Sequence, residues 1–176
     1  LERFTVTPDL LPDSATWIST DAECLRWDWI LEAMHIEGVY LQTPEKTVKD
    51  AFAQSLCFGL YPVDAWTPGP EGPPAPQLGF ARVVTDGVLF SAILDVVIDE
   101  RIRGRGLGER LMRAVLGHPK VRGTNTTLHA LEATGFYLKL GFEPTNSFSM
   151  TRPAPKIFKS TQDADELARR YIVSPQ

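Results

Sequence analysis

Eight residues of this sequence concentrate charge and backbone freedom: Arg101, Ile102, Arg103, Gly104, Arg105, Gly106, Leu107 and Gly108. Glycine lacks a Cβ, so this backbone can turn sharply, approach a ligand closely and converge its amides on an anion. Apolar residues then recur at helical spacing, Leu107, Leu111, Met112, Val115 and Leu116, until Gly117, His118 and Pro119 stop the pattern. The turn therefore opens a helix, and the positive end of the helix dipole adds to the guanidinium charge. The chemistry predicted for these residues is phosphate binding, with a diphosphate as the natural ligand.

Other glycine turns fit less well. A Walker A loop continues with Lys and Ser or Thr, whereas Gly108 is followed by Glu109 and Arg110. The dinucleotide fingerprint places its third glycine one position later and opens a parallel unit, whereas an antiparallel hairpin is expected before this turn. Arginine–glycine segments that bind RNA come as repeats in low-complexity sequence, and this one lies between two periodic elements. A tight strand-to-helix connection with solvated arginines is the plain structural alternative.

The elements that must hold this turn follow from periodicity. Residues 15–19 suggest a first strand, and Leu25, Trp29, Ile30, Ala33 and Met34 predict a helix over 21–35. Thr43 as cap, Pro44 at the first helical position and Glu45 predict a second helix over 44–55. Strands are expected over 56–61 and 78–85, separated by a surface loop with prolines at 68, 70, 73, 74 and 76. Asp86-Gly87 between Val83-Val84 and Val88-Leu89 predicts a two-residue type I′ hairpin into a strand over 88–98. That register pairs Arg82 with Ser91 and Leu78 with Asp95, leaving Arg82 and Asp95 about 13 Å apart and without a direct salt bridge. After the glycine turn and its helix come a strand over 126–130, a helix over 132–140, a closing strand over 148–151 and a tail helix over 163–171.

The 176 residues are enough for one core without staples. A formal charge of −4 gives no global attraction for nucleic acid or an anionic membrane, so neither is an expected partner. The two cysteines, Cys24 and Cys57, make no disulfide framework, every apolar run is too interrupted to span a bilayer, and a cytoplasmic location is expected. No His, Cys and carboxylate spacing suggests a metal.

Asp95-Val96-Val97-Ile98 followed by Arg101-x-x-Gly104-x-Gly106 resembles the acetyl-CoA motif of GCN5-related N-acetyltransferases, the GNAT family. A second segment, Phe136-Tyr137-Leu138-Lys139-Leu140-Gly141-Phe142, resembles the family's later helix and turn. The likeness in strand order runs over about 16–151, with residue matches concentrated in 78–142. It implies an α/β (α+β) fold with a splayed, mostly antiparallel mixed sheet flanked by helices. The family domain is expected over 1–155, including the proline-rich loop at 67–76, with 156–176 as a tail carrying a short helix. Acetyl-CoA would enter between the fourth and fifth strands. Its pantetheine would meet the backbone of Val96, Val97 and Ile98, and its pyrophosphate would meet Arg101 and the amides of Arg103, Gly104, Arg105, Gly106, Leu107 and Gly108. At Ala130, where many members carry Asn or Thr to hydrogen-bond pantetheine, that contact is expected to be absent.

The resemblance implies an N-acetyltransferase working by direct attack in a ternary complex, on a small-molecule primary amine. A protein lysine or N-terminus and a noncatalytic acyl-CoA-binding module are the alternatives. Tyr137 matches the position from which a phenol protonates the departing thiolate, and its plain alternative is a buried structural tyrosine. An alkylammonium of pKa about 10 leaves roughly a thousandth of the amine free at neutral pH, so a proton acceptor helps. Asp95, an acid in an apolar strand, and Glu132, which opens the helix of Tyr137, are the candidates, although a structural role in a cap or ion pair is the simpler reading of each. A strand amide near Val96 would stabilise the oxyanion. Trp27 and Tyr40 are candidate pocket walls and Arg82 a candidate contact for an acidic acceptor group, although core packing and a solvated strand position are the simpler readings. Because the fold often pairs, a homodimer is also expected.

Overall fold

The computed structural model describes residues 16–62, 76–130 and 133–145. Among these residues the apolar runs form five strands: β1 Thr16–Ser19, β2 Leu56–Pro62, β3 Gly79–Thr85, β4 Phe90–Ile98 and β5 Asn125–Leu128. They make one sheet in the order β1-β2-β3-β4-β5, antiparallel through β4, with β5 joined to β4 in parallel. A parallel neighbour requires a crossover, supplied by helix α3, Leu107–Gly117. This is the mostly antiparallel mixed sheet that the family resemblance implies. The chain divides into two compact units, Leu1–Phe142 and Glu143–Gln176, and every element named here belongs to the first. The closing strand expected over 148–151, the tail helix over 163–171 and all but Pro76 of the proline-rich 67–76 lie outside the described residues.

Period-two alternation sends side chains to two cores. Phe58, Leu60, Ala81, Val83 and Ile93 face α3 and pack with its Leu107, Leu111, Met112, Ala114 and Val115. Cys57, Phe80 and Val97 face the other way, onto helices α1, Trp27–Ile36, and α2, Glu45–Ala53, which contribute Ile30, Met34, Val48 and Phe52. A sheet covered on both faces has little freedom to slip, so its register is fixed.

Several boundaries differ from the sequence expectation, each for a local reason. The helix predicted over 21–35 is interrupted. Asp21 caps a 3-10 turn, Ala22–Cys24, and the chain then extends so that the Arg26 amide reaches Gln77 Oε1 at 2.9 Å before α1 begins. Pro44 precedes α2 without a side-chain cap, and the Thr43 hydroxyl does not serve as one. The predicted two-residue hairpin is a four-residue connection, 86–89, because Asp86 Oδ1 accepts from the amides of Val88, Leu89 and Phe90 and holds them out of the ladder. Pairing therefore starts at Thr85 with Ser91 and sets Arg82 opposite Leu94, not Ser91. The strand predicted over 126–130 stops at Leu128, and the helix predicted over 132–140 is the shorter α4, Thr134–Lys139.

Candidate active site

β4 does two unusual things. Its pairing with β3 shifts by one between Arg82 opposite Leu94 and Phe80 opposite Val97, so Asp95 and Val96 together face Ala81. This is a β-bulge. Its consequence is visible in the cores: Ile93 and Val97 lie four residues apart, which a regular strand would place on one face, yet they belong to opposite cores. Asp95 adopts the left-handed backbone at φ 53°, a conformation an L-residue holds only where its surroundings enforce it.

The second feature is a gap. β5 accompanies β4 only from Phe90 to Ile93, the last pair being Ile93 with Leu128. The remaining β4 backbone, 94–98, has no β5 neighbour and leads into the glycine turn. Asp99 caps a short 3-10 turn, Glu100–Ile102, Gly104 and Gly106 take φ 78° and 79°, and Gly106 is the N-cap of α3. Backbone bonding resumes with the Arg110 amide on the Gly106 carbonyl at 3.1 Å, and the amides of residues 104–109 have no backbone partner among the described residues. A strand edge for an amide-bearing arm, ending at a nest of free N–H groups on a helix N-terminus, fits the pantetheine and pyrophosphate of a CoA thioester.

The arginines of this turn differ from one another. Arg101 folds back on Asp99 with Nε to Oδ1 at 2.9 Å and Nη2 to Oδ2 at 2.5 Å, and these bonds hold the Asp99 carboxyl down at about 2. Arg103 donates through Nε to the Ile98 carbonyl and through Nη2 to Glu37 at the end of α1, and its amide reaches the Glu100 carbonyl at 3.4 Å. Arg105 is exposed and makes no side-chain bond among the described residues, which leaves it as the cation free for a phosphate.

Tyr137, on α4, borders the α3-side core together with Val96 and Ile98. Phe136 and Phe142 pack on its ring edge-to-face, with centroids 5.0 and 5.9 Å away. Burial raises the pKa of its phenol above the ordinary value of 10, so it keeps its proton at neutral pH. A β-carbon placed on Gly108 would lie 3.5 Å from Phe136 and 3.7 Å from Ile98. The start of α3, the end of β4 and the helix bearing Tyr137 are thus packed against one another.

Asp95 points to the other face. Arg82 Nε donates to its Oδ2 at 2.6 Å, and the Tyr40 hydroxyl donates to the same oxygen at 2.9 Å and to Oδ1 at 3.1 Å. Arg82 also reaches Tyr40 Oη at 2.9 Å and Ser55 Oγ at 3.2 Å, while its Cζ lies 4.9 Å from the Phe52 ring centroid. The expectation that Arg82 and Asp95 stand too far apart for a salt bridge is therefore corrected. With Thr85 paired to Ser91 in place of Val88 the register moved by three, and the bulge turned Asp95 toward Arg82. Burial works against the Arg82 charge, but Asp95 and Tyr40 outweigh it and raise its pKa further. Trp27 packs on Phe52 at 5.7 Å beside this network, so Trp27, Tyr40 and Arg82 do lie together, with Arg82 turned inward to protein partners. Glu132 lies outside the described residues.

A cleft of about 320 Å³ lies between α1 and residues 97–101, lined by Trp29, Glu32, Glu37, Asp99 and Glu100 among others. The sequence expectation named neither Trp29, Glu32 nor Glu37 as a site residue, although the separations 29, 32, 33, 36 and 37 place the α1 lining and its C-cap Glu37 on one helical face. No helix among the described residues is long and apolar enough to cross a membrane. No group of three or more His, Cys, Asp or Glu among them is placed to hold a metal ion.

The five-stranded mixed sheet, antiparallel through β4 and flanked by helices on both faces, is the sheet of GNAT acetyltransferases. The profile of the acetyltransferase (GNAT) domain matches residues 75–144. A protein of Gibberella zeae described as an acetyltransferase is 31% identical over 118 residues, 60% of this chain and 67% of that protein. Glucosamine 6-phosphate N-acetyltransferase 1 of Oryza sativa subsp. japonica is 46% identical over 54 residues, 30% of this chain and 33% of that protein. A solved GNAT-family acetyltransferase of Xanthomonas campestris pv. campestris superposes with a TM-score of 0.67 at 29% identity, covering 85% of this chain and 99% of that one. The chain belongs to the GNAT acetyltransferase family.

Proposed function

We propose that this protein transfers the acetyl group of acetyl-CoA to the primary amine of a small molecule, by direct attack with both substrates bound. The observation that carries the reading is the break between β4 and β5 after Ile93, which ends at the unbonded amides of residues 104–109. Bound acetyl-CoA supplies an activated thioester. The backbone of Val96, Val97 and Ile98 aligns the pantetheine, while the amides of Gly104, Arg105, Gly106, Leu107 and Gly108 and the Arg105 guanidinium hold the pyrophosphate. The Val96 amide donates to the carbonyl oxygen as negative charge develops there. Tyr137, protonated because burial raises its pKa, donates its proton to the leaving sulfur.

For the amine proton, Glu132 remains a proposed acceptor, directly or through water, whereas Asp95 already has both oxygens hydrogen-bonded. Trp27 and Tyr40 lie on the face of the sheet opposite α3 and are proposed as walls on the acceptor side. The rice relative's amino-sugar phosphate makes that class a sensible member of an amine panel. Its alignment covers only 30% of this chain, so the panel should extend to other amines. The test is CoA thiol release from acetyl-CoA across such a panel. Turnover with at least one amine is expected, and CoA binding with no turnover on any amine would reduce the protein to an acyl-CoA-binding module.

A further inference from the structure

We propose that Tyr40 and Arg82 are positioning residues for acetyl transfer: by gripping the Asp95 carboxylate they lock the β4 bulge, and with it the Val96 amide, in its working conformation. The inference rests on the acetyl-transfer reading above. Among the described residues, the non-glycine positions with positive φ are Tyr40, at 61°, and Asp95, at 53°. They are 55 residues apart, yet the Tyr40 hydroxyl bonds both carboxylate oxygens of Asp95. Backbone in this region persists for an L-residue only where neighbouring groups over-determine it, and such positions cluster where geometry matters for function.

The grip comes from three elements. Tyr40 lies in the connection between α1 and α2, with its ring 6.0 Å from that of Phe52. Arg82 comes from β3 with Nε 2.6 Å from Asp95 Oδ2, and Ser55, just before β2, accepts from Arg82 Nη1. The side chains of Arg82 and Asp95 are only 11% and 9% exposed, so water competes weakly for these bonds.

What the grip holds is the one place where β4 gains a residue. Asp95 and Val96 have no paired partner in β3, and β5 has already ended at the pair Ile93 with Leu128. If Asp95 relaxed to an ordinary strand φ, the 95–96 peptide would rotate and the Val96 amide would leave its direction. The adjacent β4 end and glycine turn have their own supports, so CoA affinity should survive that change while the reacting carbonyl loses its donor. The network also joins the connection carrying Tyr40 to the bulge, so a change on that side of the sheet can reach the reacting centre without touching the cofactor.

Steady-state kinetics and CoA titration on Asp95→Ala, Asp95→Gly and Tyr40→Phe test this. Because glycine adopts a φ of +53° freely and alanine does not, Asp95→Ala should lower kcat by about a hundredfold, as misplacement of a reacting group does. Asp95→Gly should recover roughly tenfold of that loss, with the ascending limb of the pH profile unmoved and CoA affinity unchanged. Tyr40→Phe keeps the ring on Phe52 and should lower kcat by about tenfold. It decides the matter alone if Asp95→Ala does not fold. Wild-type kcat in Asp95→Ala or Tyr40→Phe overturns the inference, as does Asp95→Gly as inactive as Asp95→Ala with its ascending limb lost, which would make Asp95 a proton acceptor. Wild-type protein that binds CoA but acetylates no amine overturns the acetyl-transfer reading instead, and the inference with it.

Discussion

Two arginine–aspartate pairs of nearly equal length lie at the two ends of the same short stretch of chain, and they do different work. Arg82 and Asp95 meet at 2.6 Å with side chains 11% and 9% exposed. Arg101 and Asp99 meet at 2.5 Å, but the Arg101 side chain is 79% exposed. The first pair links two strands across a bulge and is further bonded by Tyr40 and Ser55. The second closes over two residues of sequence and caps the 3-10 turn Glu100–Ile102. An equal distance thus conceals unequal energetics, because desolvation multiplies the consequence of breaking the first pair and solvent screens the second.

The sharpest break of that comparison is Arg82→Met, which leaves a buried carboxylate without its cation. Removing one member of a buried pair costs about 3–5 kcal/mol, and urea unfolding should show a loss in that range, far above that for the same change at Arg101. Next in size is Tyr137→Phe, which tests the α3 side of the sheet, where no ion pair is involved. Loss of a general acid lowers kcat by about a hundredfold or more, with CoA affinity intact. Since burial raises the pKa of Tyr137, the wild-type profile should show no decline from phenol ionisation before pH passes the ordinary tyrosine value of 10. Full turnover by Tyr137→Phe across pH would remove the residue from the chemistry.

The same contrast explains what could be read in the sequence. The turn is local: three glycines, three arginines and the helical period after Leu107 are contiguous, so the turn itself, the start of α3 and the family likeness were all legible. The bulge is not. Its surplus residue appears only when β4 is laid against β3, and that register depended on 86–89, where Asp-Gly suggested a two-residue turn. One carboxylate oxygen gathering three amides outweighed the preference of that dipeptide, and the error of three positions separated Arg82 from Asp95. Tyr40 was visible as a candidate aromatic residue, but its bond to Asp95 spans 55 positions, which no local pattern encodes. Arg105 could not be distinguished from Arg101 and Arg103 before their partners Asp99 and Glu37 were in place.

A smaller effect should follow from Gly106→Val at the α3 N-cap. A β-branched residue at φ 79° costs on the order of 1–2 kcal/mol, and the chain would relieve that strain by turning its amides away from the phosphate. The dissociation constant for CoA, measured by calorimetry, should rise about tenfold for each 1.4 kcal/mol, while kcat at saturating acetyl-CoA stays close to wild type. That outcome is the reverse of the one expected at Asp95, so the two variants together separate cofactor holding from carbonyl positioning.

The smallest expected effect belongs to the exposed pair. The Asp99 carboxyl lies at about 2 in the folded protein, below its ordinary 3.8, chiefly through its hydrogen bonds from Arg101. A depressed folded value means that the pair stabilises the protein above pH 3.8 and that this contribution is lost as pH falls from 3.8 toward 2. Because Arg101 is open to solvent, screening keeps that contribution small. Asp99→Asn should therefore lower the unfolding free energy slightly at pH 6, and the difference from wild type should close on acidification through that window. A difference that grew toward low pH would carry the wrong sign for this pair and would assign the acid sensitivity to another carboxylate. A loss at pH 6 as large as that of Arg82→Met would mean that burial of the Asp99 carboxylate, at 8% side-chain exposure, governs the pair more than the exposure of its arginine does.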